Sequence, residues 1–297
     1  MNPQERRGLL YVTLAVAFLS TSPVLIVWAD PMPSLVKTAG RLTVGALAIW
    51  LLSRLMSNRE ATHQTEPNSP RTSRRSAILF AGYGLVTGLH FFFYIASLSY
   101  TTAAHALAII YTAPIFTTLL SAAMLHEPIR RRQWAGVAVT VAGIAILAGL
   151  EPTMTPNMAF GDFLALLSAI TYALYSVAGR YERARYPLLV YASRVYGAAA
   201  LWLVPAALLA LPSAAEASWG ALQVASVIAL GIGPHALGHT LYNASLRRVH
   251  ATYVNMIASQ ELTGGILLAF LLLGQVPSPN ALVGALVTLV GIALVLR

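Results

Sequence analysis

Residues 94–103 read YIASLSYTTA and residues 242–251 read YNASLRRVHA; at the same offset of 148, residues 136–145, GVAVTVAGIA, match residues 284–293, GALVTLVGIA. Tyr94, Ala96, Ser97, Leu98 and Ala103 thus recur as Tyr242, Ala244, Ser245, Leu246 and Ala251. Likewise Gly136, Val139, Thr140, Gly143, Ile144 and Ala145 recur as Gly284, Val287, Thr288, Gly291, Ile292 and Ala293. One ungapped offset joining two separate blocks is hard to obtain from apolar composition alone. The chain therefore reads as a duplication, with one unit over residues 1–150 and the other over residues 151–297.

Composition says what the duplicated unit is. Of 297 residues, 57% are apolar and only 10% are charged, against roughly a quarter charged in a soluble domain. There is too little polar surface to face water, so most of the solvent must be lipid. Apolar runs bounded by charge, Pro or Gly fall at 8–28, 33–56, 76–98, 102–125, 132–150, 160–179, 187–211, 217–244, 249–273 and 279–296, most of them near the roughly 20 residues that cross a bilayer. Backbone in lipid must satisfy its own hydrogen bonds, which predicts helices. The fold class expected is an all-α membrane protein of ten transmembrane helices. The first run follows Arg6 and Arg7 as a secretory signal would. It continues past Pro23 to Trp28 without a small-residue cleavage site, and is read as a retained helix.

The 19 Lys and Arg residues set the orientation. Arg6 and Arg7 precede the first run, and Arg54, Arg59, Arg71, Arg74 and Arg75 lie between the second and third. Arg130, Arg131 and Arg132 lie between the fourth and fifth, Arg180, Arg183 and Arg185 after the sixth, Arg247 and Arg248 after the eighth, and Arg297 at the end. With ten spans these sixteen share one side. The gaps at 30–33, 99–101, 151–159, 212–218 and 274–278 hold none. Basic residues stay in the cytoplasm during insertion, so both termini are expected there, in a bacterial-type inner membrane. The net charge of +9 is then an orientation signal with a secondary attraction to anionic membrane lipids, and no nucleic-acid partner is expected. The connection Asn58–Arg75, rich in Ser, Thr, Pro and charge, reads as a linker without catalytic content. Five spans per half is an odd number, so the second copy enters from the opposite side. Such inverted repeats serve alternating access, which makes transport the leading function class.

The stretch from Ala103 through Pro114, Leu125-His126-Glu127-Pro128 and on to Gly136 and Gly143-Ile144 resembles the signature of EamA-type members of the drug/metabolite transporter superfamily. Ala251 through Glu261-Leu262, Leu273-Gly274-Gln275 and Gly284 to Gly291-Ile292 resemble its partner in the second half. The resemblance covers nearly the whole chain and departs from the family twice. Leu262 stands where the family often has Pro, and Gln275 where it often has Glu. The ninth run is therefore expected to bend elsewhere, at Gly264-Gly265. The resemblance implies a secondary transporter or facilitator that exports small amphipathic metabolites. Its nearest branch is that of the aromatic amino-acid (YddG-like) exporters. A drug or nucleotide-sugar carrier is the alternative within the class, and the few cavity cations disfavour an anionic nucleotide. An intramembrane enzyme would need a convergent acid, base or metal constellation, and a lipid scramblase would need a polar groove open to lipid.

Polar residues three or four apart on an apolar helix share a face that turns away from lipid. The third run carries Tyr83, Thr87, His90 and Tyr94, and the eighth carries His235, His239 and Tyr242. The fourth offers Tyr111, the sixth Ser168, Tyr172 and Ser176, and the ninth Thr252, Asn255 and Ser259. Phenol and imidazole groups can hydrogen-bond a ligand's charged ends while their faces take an apolar side chain or a cation. Converging stripes make a cavity wall for a small-molecule substrate; interhelical hydrogen bonding is the alternative for any single member.

Glu261 sits near the middle of the ninth run, where an ionised carboxylate costs at least a few kcal/mol. With Arg41 it is a candidate for coupling or gating. Glu261 is a candidate for proton coupling or for binding a substrate ammonium, or for a structural hydrogen bond. Its position about 200 degrees around an ideal helix from Ser259 argues against a direct substrate role. Arg41 and Arg194 lie inside the second and seventh runs in similar contexts. Reaching along the helix to headgroups is favoured for both, with a carboxylate partner, Glu261 or a substrate, as the alternative, and Lys37 is placed at the interface.

Pro23, Pro114, Pro205 and Pro234, with Gly231, Gly233, Gly264 and Gly265, are candidates for broken helices. Gly136, Thr140 and Gly143 with Gly284, Thr288 and Gly291 are expected to pack the fifth and tenth helices together. There is no cysteine, hence no disulfide or thiolate ligand. His235-x-x-x-His239 has metal spacing without a third ligand, so no metal or other cofactor is expected. His126-Glu127 lacks a second His, Gly82-x-Gly84-x-x-x-Gly88 has the wrong spacing for a dinucleotide, and no P-loop is present. No stretch specifies an oligomeric state.

Overall fold

The structure, a computed structural model, describes residues 2–60, 73–101, 103–148, 155–183, 185–214, 219–274, 276 and 279–296. Gln275, Arg297, most of the 58–75 linker and parts of the gaps at 151–159, 212–218 and 274–278 lie outside them. The described residues form helices and turns, with no strand.

In the first half α1 (Pro3–Leu19) and α2 (Ser22–Trp28) make one interrupted span, followed by α3 (Ser34–Glu60) and α4 (Arg74–Ser97). Next, α5 (Ala103–Ile110) and α6 (Ala113–Leu120) run into a π-helical turn, Ser121–Leu125, before α7 (Arg131–Ala148). The second half has α8 (Pro156–Glu182) and α9 (Leu188–Ala214), then α10 (Ala221–Leu230), a π-helical segment Gly231–His239, and α11 (Thr240–Leu246). Finally α12 (Ala251–Ala258) and α13 (Glu261–Leu273) form an interrupted span, and α14 (Pro279–Leu296) ends the series. Among the described residues eight helices are long and apolar enough to cross a membrane, and Gln133–Ile146 and Leu282–Val295 are shorter apolar helices.

Four of the long spans are interrupted, and the interruptions have local causes. Ser20 Oγ donates to Val16 O and Thr21 Oγ1 to Phe18 O, both at 2.7 Å, and Pro23 opens α2 without needing a hydrogen bond. Pro114 does the same for α6. Pro234 lies inside the π-helical segment, whose wider turn absorbs the missing N–H. Pro205 lies within α9, which runs on without interruption.

The break in the ninth run falls at Ser259–Gln260, not at Gly264-Gly265. It is the position of Tyr111–Thr112 carried over by the offset of 148. Without a proline, the turn closes through Leu262 N–H to Ser259 O at 3.1 Å and Gly264 N–H to Gln260 O at 2.9 Å. Gly264 and Gly265 instead let the α1–α2 elbow approach. A Cβ on Gly264 would strike the Ser20 side chain, and one on Gly265 would meet Pro23 Cγ at 3.1 Å.

The packing puts polar groups inside and large apolar side chains outside. Leu209 is 84% exposed while Arg41 is 1% exposed, the reverse of a water-soluble domain and the arrangement lipid favours. α3 packs on α9, and α4 on α8 and α9. α7 and α14 pack through matched glycines. A Cβ at Gly136 would lie 2.8 Å from Gly291 O, one at Gly291 would lie 2.8 Å from Gly136 O, and one at Gly143 would lie 2.9 Å from Gly284 O. Thr140 and Thr288 donate back to Gly136 O and Gly284 O, keeping their hydroxyls satisfied within their own helices.

Candidate functional site

Three of the four breaks reach a buried cavity. Arg41 reaches it from α3, His90, Phe91 and Tyr94 from α4, Ile110 and Tyr111 from the α5–α6 break, Tyr172 from α8, His239 from the π-helical segment and Glu261 from the start of α13. Its free volume is about 10 Å³, space for roughly one water.

Ser259 and Glu261 point apart, as two residues about 200 degrees apart on a helix do, and it is Glu261, the first residue of α13, that faces the cavity. A carboxylate suits that position, where the helix dipole is positive. Ser259, by contrast, donates to Met256 O at 2.6 Å and does not line the cavity. The headgroup role for Arg41 is also overturned. The guanidinium is 1% exposed, 4.3 Å from the Phe91 ring centroid, and its Nε and Nη1 have no hydrogen-bond partner. Its helix position lies too deep, and ring contact with Phe91 replaces water. Arg194 is oriented elsewhere, 5.3 Å from the Phe80 and Tyr186 rings. Lys37 is buried and pairs with the largely exposed Asp30 carboxylate.

His90 is fixed from two sides. Its Nδ1 lies 3.1 Å from Ser168 O and 3.0 Å from Ser168 Oγ, and its ring stacks on Tyr172 at 4.7 Å and 12°. Ser168 therefore serves as a support. Ser176 is a second support: its Oγ meets Tyr242 Oη at 2.5 Å and accepts from Asn255 Nδ2 at 2.9 Å, which also donates to Thr117 Oγ1 at 2.7 Å. Thr252 shares a hydrogen bond with Thr118 at 3.1 Å. Thr87 donates to Tyr83 O at 2.7 Å. His235 is fully buried, 4.2 Å from Tyr196 and 5.0 Å from Phe91 by ring centroid, with neither ring nitrogen partnered. Of the polar stripes, then, His90, Tyr94, Tyr111, Tyr172 and His239 reach the cavity. Ser168, Ser176, His235, Asn255 and Thr87 stand around it.

Two lining residues, Phe91 and Ile110, escaped sequence reasoning, because an apolar side chain beside a cavity looks like one in a core. Asn243 was also missed. It donates to His239 O at 2.8 Å, to Tyr196 Oη at 3.3 Å and to Tyr175 Oη. Its place beside Tyr242 in the repeat was the available signal.

A larger cavity of about 450 Å³ lies toward the end of the molecule that carries the arginine clusters. Tyr83, Val86, Leu125, Tyr175 and Tyr191 are among the residues that line it. Tyr83 donates to Glu182 at 2.9 Å at its edge. Beside it Glu127 gathers two halves of the chain. Arg180 Nη2 and Nε donate to its carboxylate at 2.8 and 3.2 Å, Arg180 Nη1 donates to Leu246 O at 2.9 Å, and His250 Nε2–H donates to Glu127 O at 2.8 Å. Burial, opposed by the Glu127 carbonyl and carboxylate, holds the His250 imidazole below its ordinary 6.5. Burial and then the neighbouring Arg247 charge bring Arg183 down to about 10. Among the described residues, no group of three His, Cys, Asp or Glu could hold a metal ion.

Interrupted apolar helices around a buried polar cavity are an arrangement found in membrane transporters. The chain belongs to the EamA-like transporter family, whose pattern matches residues 6–149 and again 159–297, within the drug/metabolite transporter superfamily. It is 31% identical over 191 residues to a probable terminal-alkyne amino-acid exporter of Streptantibioticus cattleyicolor, covering 62% of this chain and 61% of that one, about three fifths of the relative's length. It is 29% identical over 245 residues to the aromatic amino acid exporter YddG of Ancylobacter novellus, covering 81% of this chain and 77% of that one. A solved crystal structure at 22% identity superposes with a TM-score of 0.77 over 97% of this chain and 95% of its own, a likeness of fold.

Proposed function

We propose that the protein exports small amphipathic metabolites, amino acids including aromatic ones, across a bacterial inner membrane by alternating access. In this reading residues 1–150 and 151–297 are two inverted five-helix repeats. The shorter α7 and α14 complete ten spans, and both termini are cytoplasmic. The sixteen basic residues on one set of gaps support that orientation.

The observation that carries the reading is the cavity where Arg41 and the rings of His90, Phe91, Tyr94 and Tyr172 meet Tyr111 and Glu261, which come from the paired helix breaks of the two halves. Buried charge beside aromatic faces suits a ligand with a polar head and an apolar body. The two exporters named above share the amino-acid head and differ in side chain, which fits the same division. Room for about one water at the centre, with about 450 Å³ at the basic end, supports a state collapsed at the site and open toward the cytoplasm.

The test is flux of radiolabelled Phe, Trp, Thr and an unrelated drug in proteoliposomes, with and without a pH gradient. Amino-acid flux well above empty liposomes is expected. Drug flux alone would leave a transporter of another substrate class, and absence of amino-acid flux overturns the assignment.

A further inference from the structure

Two charges of opposite sign line one small cavity, and one has donors to spare. Arg41 is 1% exposed and its Nε and Nη1 are unpartnered. Tyr94, 5% exposed in the same wall, and Tyr111 hold their hydroxyls beside the Glu261 carboxylate. Glu261, 8% exposed, faces the same space from the opposite half of the chain. Buried guanidinium donors without acceptors cost free energy until a ligand supplies the missing partner. Both residues, Arg41 and Glu261, line this one cavity, whose free volume is about that of one water.

Resting on the transport function proposed above, we infer that Arg41 and Glu261 are the two poles of the site. The ligand's carboxylate docks on Arg41, and its ammonium on Glu261. The site's two charges cancel, as do those of an α-amino-acid zwitterion. A ligand with only one charge leaves one pole buried and uncompensated. Such a mismatch discriminates far more strongly than a missing methylene does, because the site's own polar groups are left unpaired. The apolar side chain has no charged partner to satisfy and lies among Phe91, Ile110 and Tyr172, so side-chain identity is read loosely and the headgroup strictly. The protein is thereby a carrier of free α-amino acids that rejects their amides, N-acyl derivatives and simple amines.

The test uses the wild-type protein in proteoliposomes, with radiolabelled Phe as the transported probe. Unlabelled Phe, phenylalaninamide, N-acetylphenylalanine and phenethylamine are the competitors. Phe is expected to compete at least tenfold better than each single-charge analogue. Arg41→Gln should abolish that preference over the amide, and Arg41→Lys should retain part of it. Phe flux with the amide or the N-acetyl compound competing equally overturns this assignment while leaving amino-acid export standing. No amino-acid flux at all overturns both.

Discussion

Glu127 and Arg180, 53 positions apart, are joined by hydrogen bonds of 2.8 and 3.2 Å, and the same arginine holds Leu246 O. The turn after α6 is thus tied to the ends of α8 and α11 beside the larger cavity. The pair is about a quarter to a third exposed, so its own contribution is modest, about 1 kcal/mol. Loosening it should change accessibility more than stability. The chain has no cysteine, so one placed at Val177 in the cavity wall can be labelled without background. Glu127→Gln is expected to raise its labelling rate by an impermeant maleimide several-fold. An unchanged rate would show that the tie does not restrict that cavity.

Acid should act on the same cluster through His250. The ring accepts from Thr252 N–H at 3.2 Å through Nδ1 and donates to Glu127 O through Nε2–H, an arrangement that needs the neutral form. Its folded pKa lies below 6.5. The stability it contributes is therefore complete above the unfolded value and is lost as pH falls through the folded one. The melting temperature in detergent should drop between about pH 7 and about pH 5, and His250→Asn, which offers an acceptor and a donor without a charge, should drop less. Equal slopes for the two proteins would exclude His250 as the cause.

The α7–α14 contact should tolerate no added volume. Gly143→Val places methyl groups against Gly284 O and Thr288, and overpacking of this kind costs about 1–3 kcal/mol. A melting point lowered by several degrees is expected. Gly82→Ala, which meets nothing within 4 Å, should leave it near the wild-type value. The idea fails if the two substitutions behave alike.

Ser176, Tyr242 and Asn255 should be energetically coupled. Their hydroxyl and amide groups meet at 2.5 and 2.9 Å in a buried site. Polar contacts between membrane helices contribute about 0.6 kcal/mol on average and up to about 1.7. A double-mutant cycle of Ser176→Ala with Tyr242→Phe should return a coupling near the upper figure, since Ser176 Oγ also donates to Tyr172 O at 2.7 Å and the Tyr242 ring lies 5.6 Å from that of Tyr172. Additive effects would remove the network from the account.

Much of this was readable from residue order. The long apolar runs, the duplication and the polar stripes all follow from which atoms lipid tolerates. His90, Tyr94, Tyr111, Tyr172 and His239 were legible as cavity residues because each interrupts an apolar face at helical spacing. Glu261 and Ser259 were rightly read as pointing apart, but periodicity does not say which of two opposite faces turns to the cavity, and that face is the one with Glu261. Arg41 was misjudged in depth because a long side chain can reach out or in, and that choice is made by Phe91, a residue of another helix. Pro205 shows the converse: a proline that interrupts nothing.

The interlocked glycines of α7 and α14 have a mechanical consequence. One helix comes from each half of the chain, and their backbones are too close for either to slide without collision. In the alternating access proposed above, this seam is the part least able to shift, and the elbows at Ser20–Thr21, Tyr111–Thr112 and Ser259–Gln260 are the joints on which the remaining helices would turn.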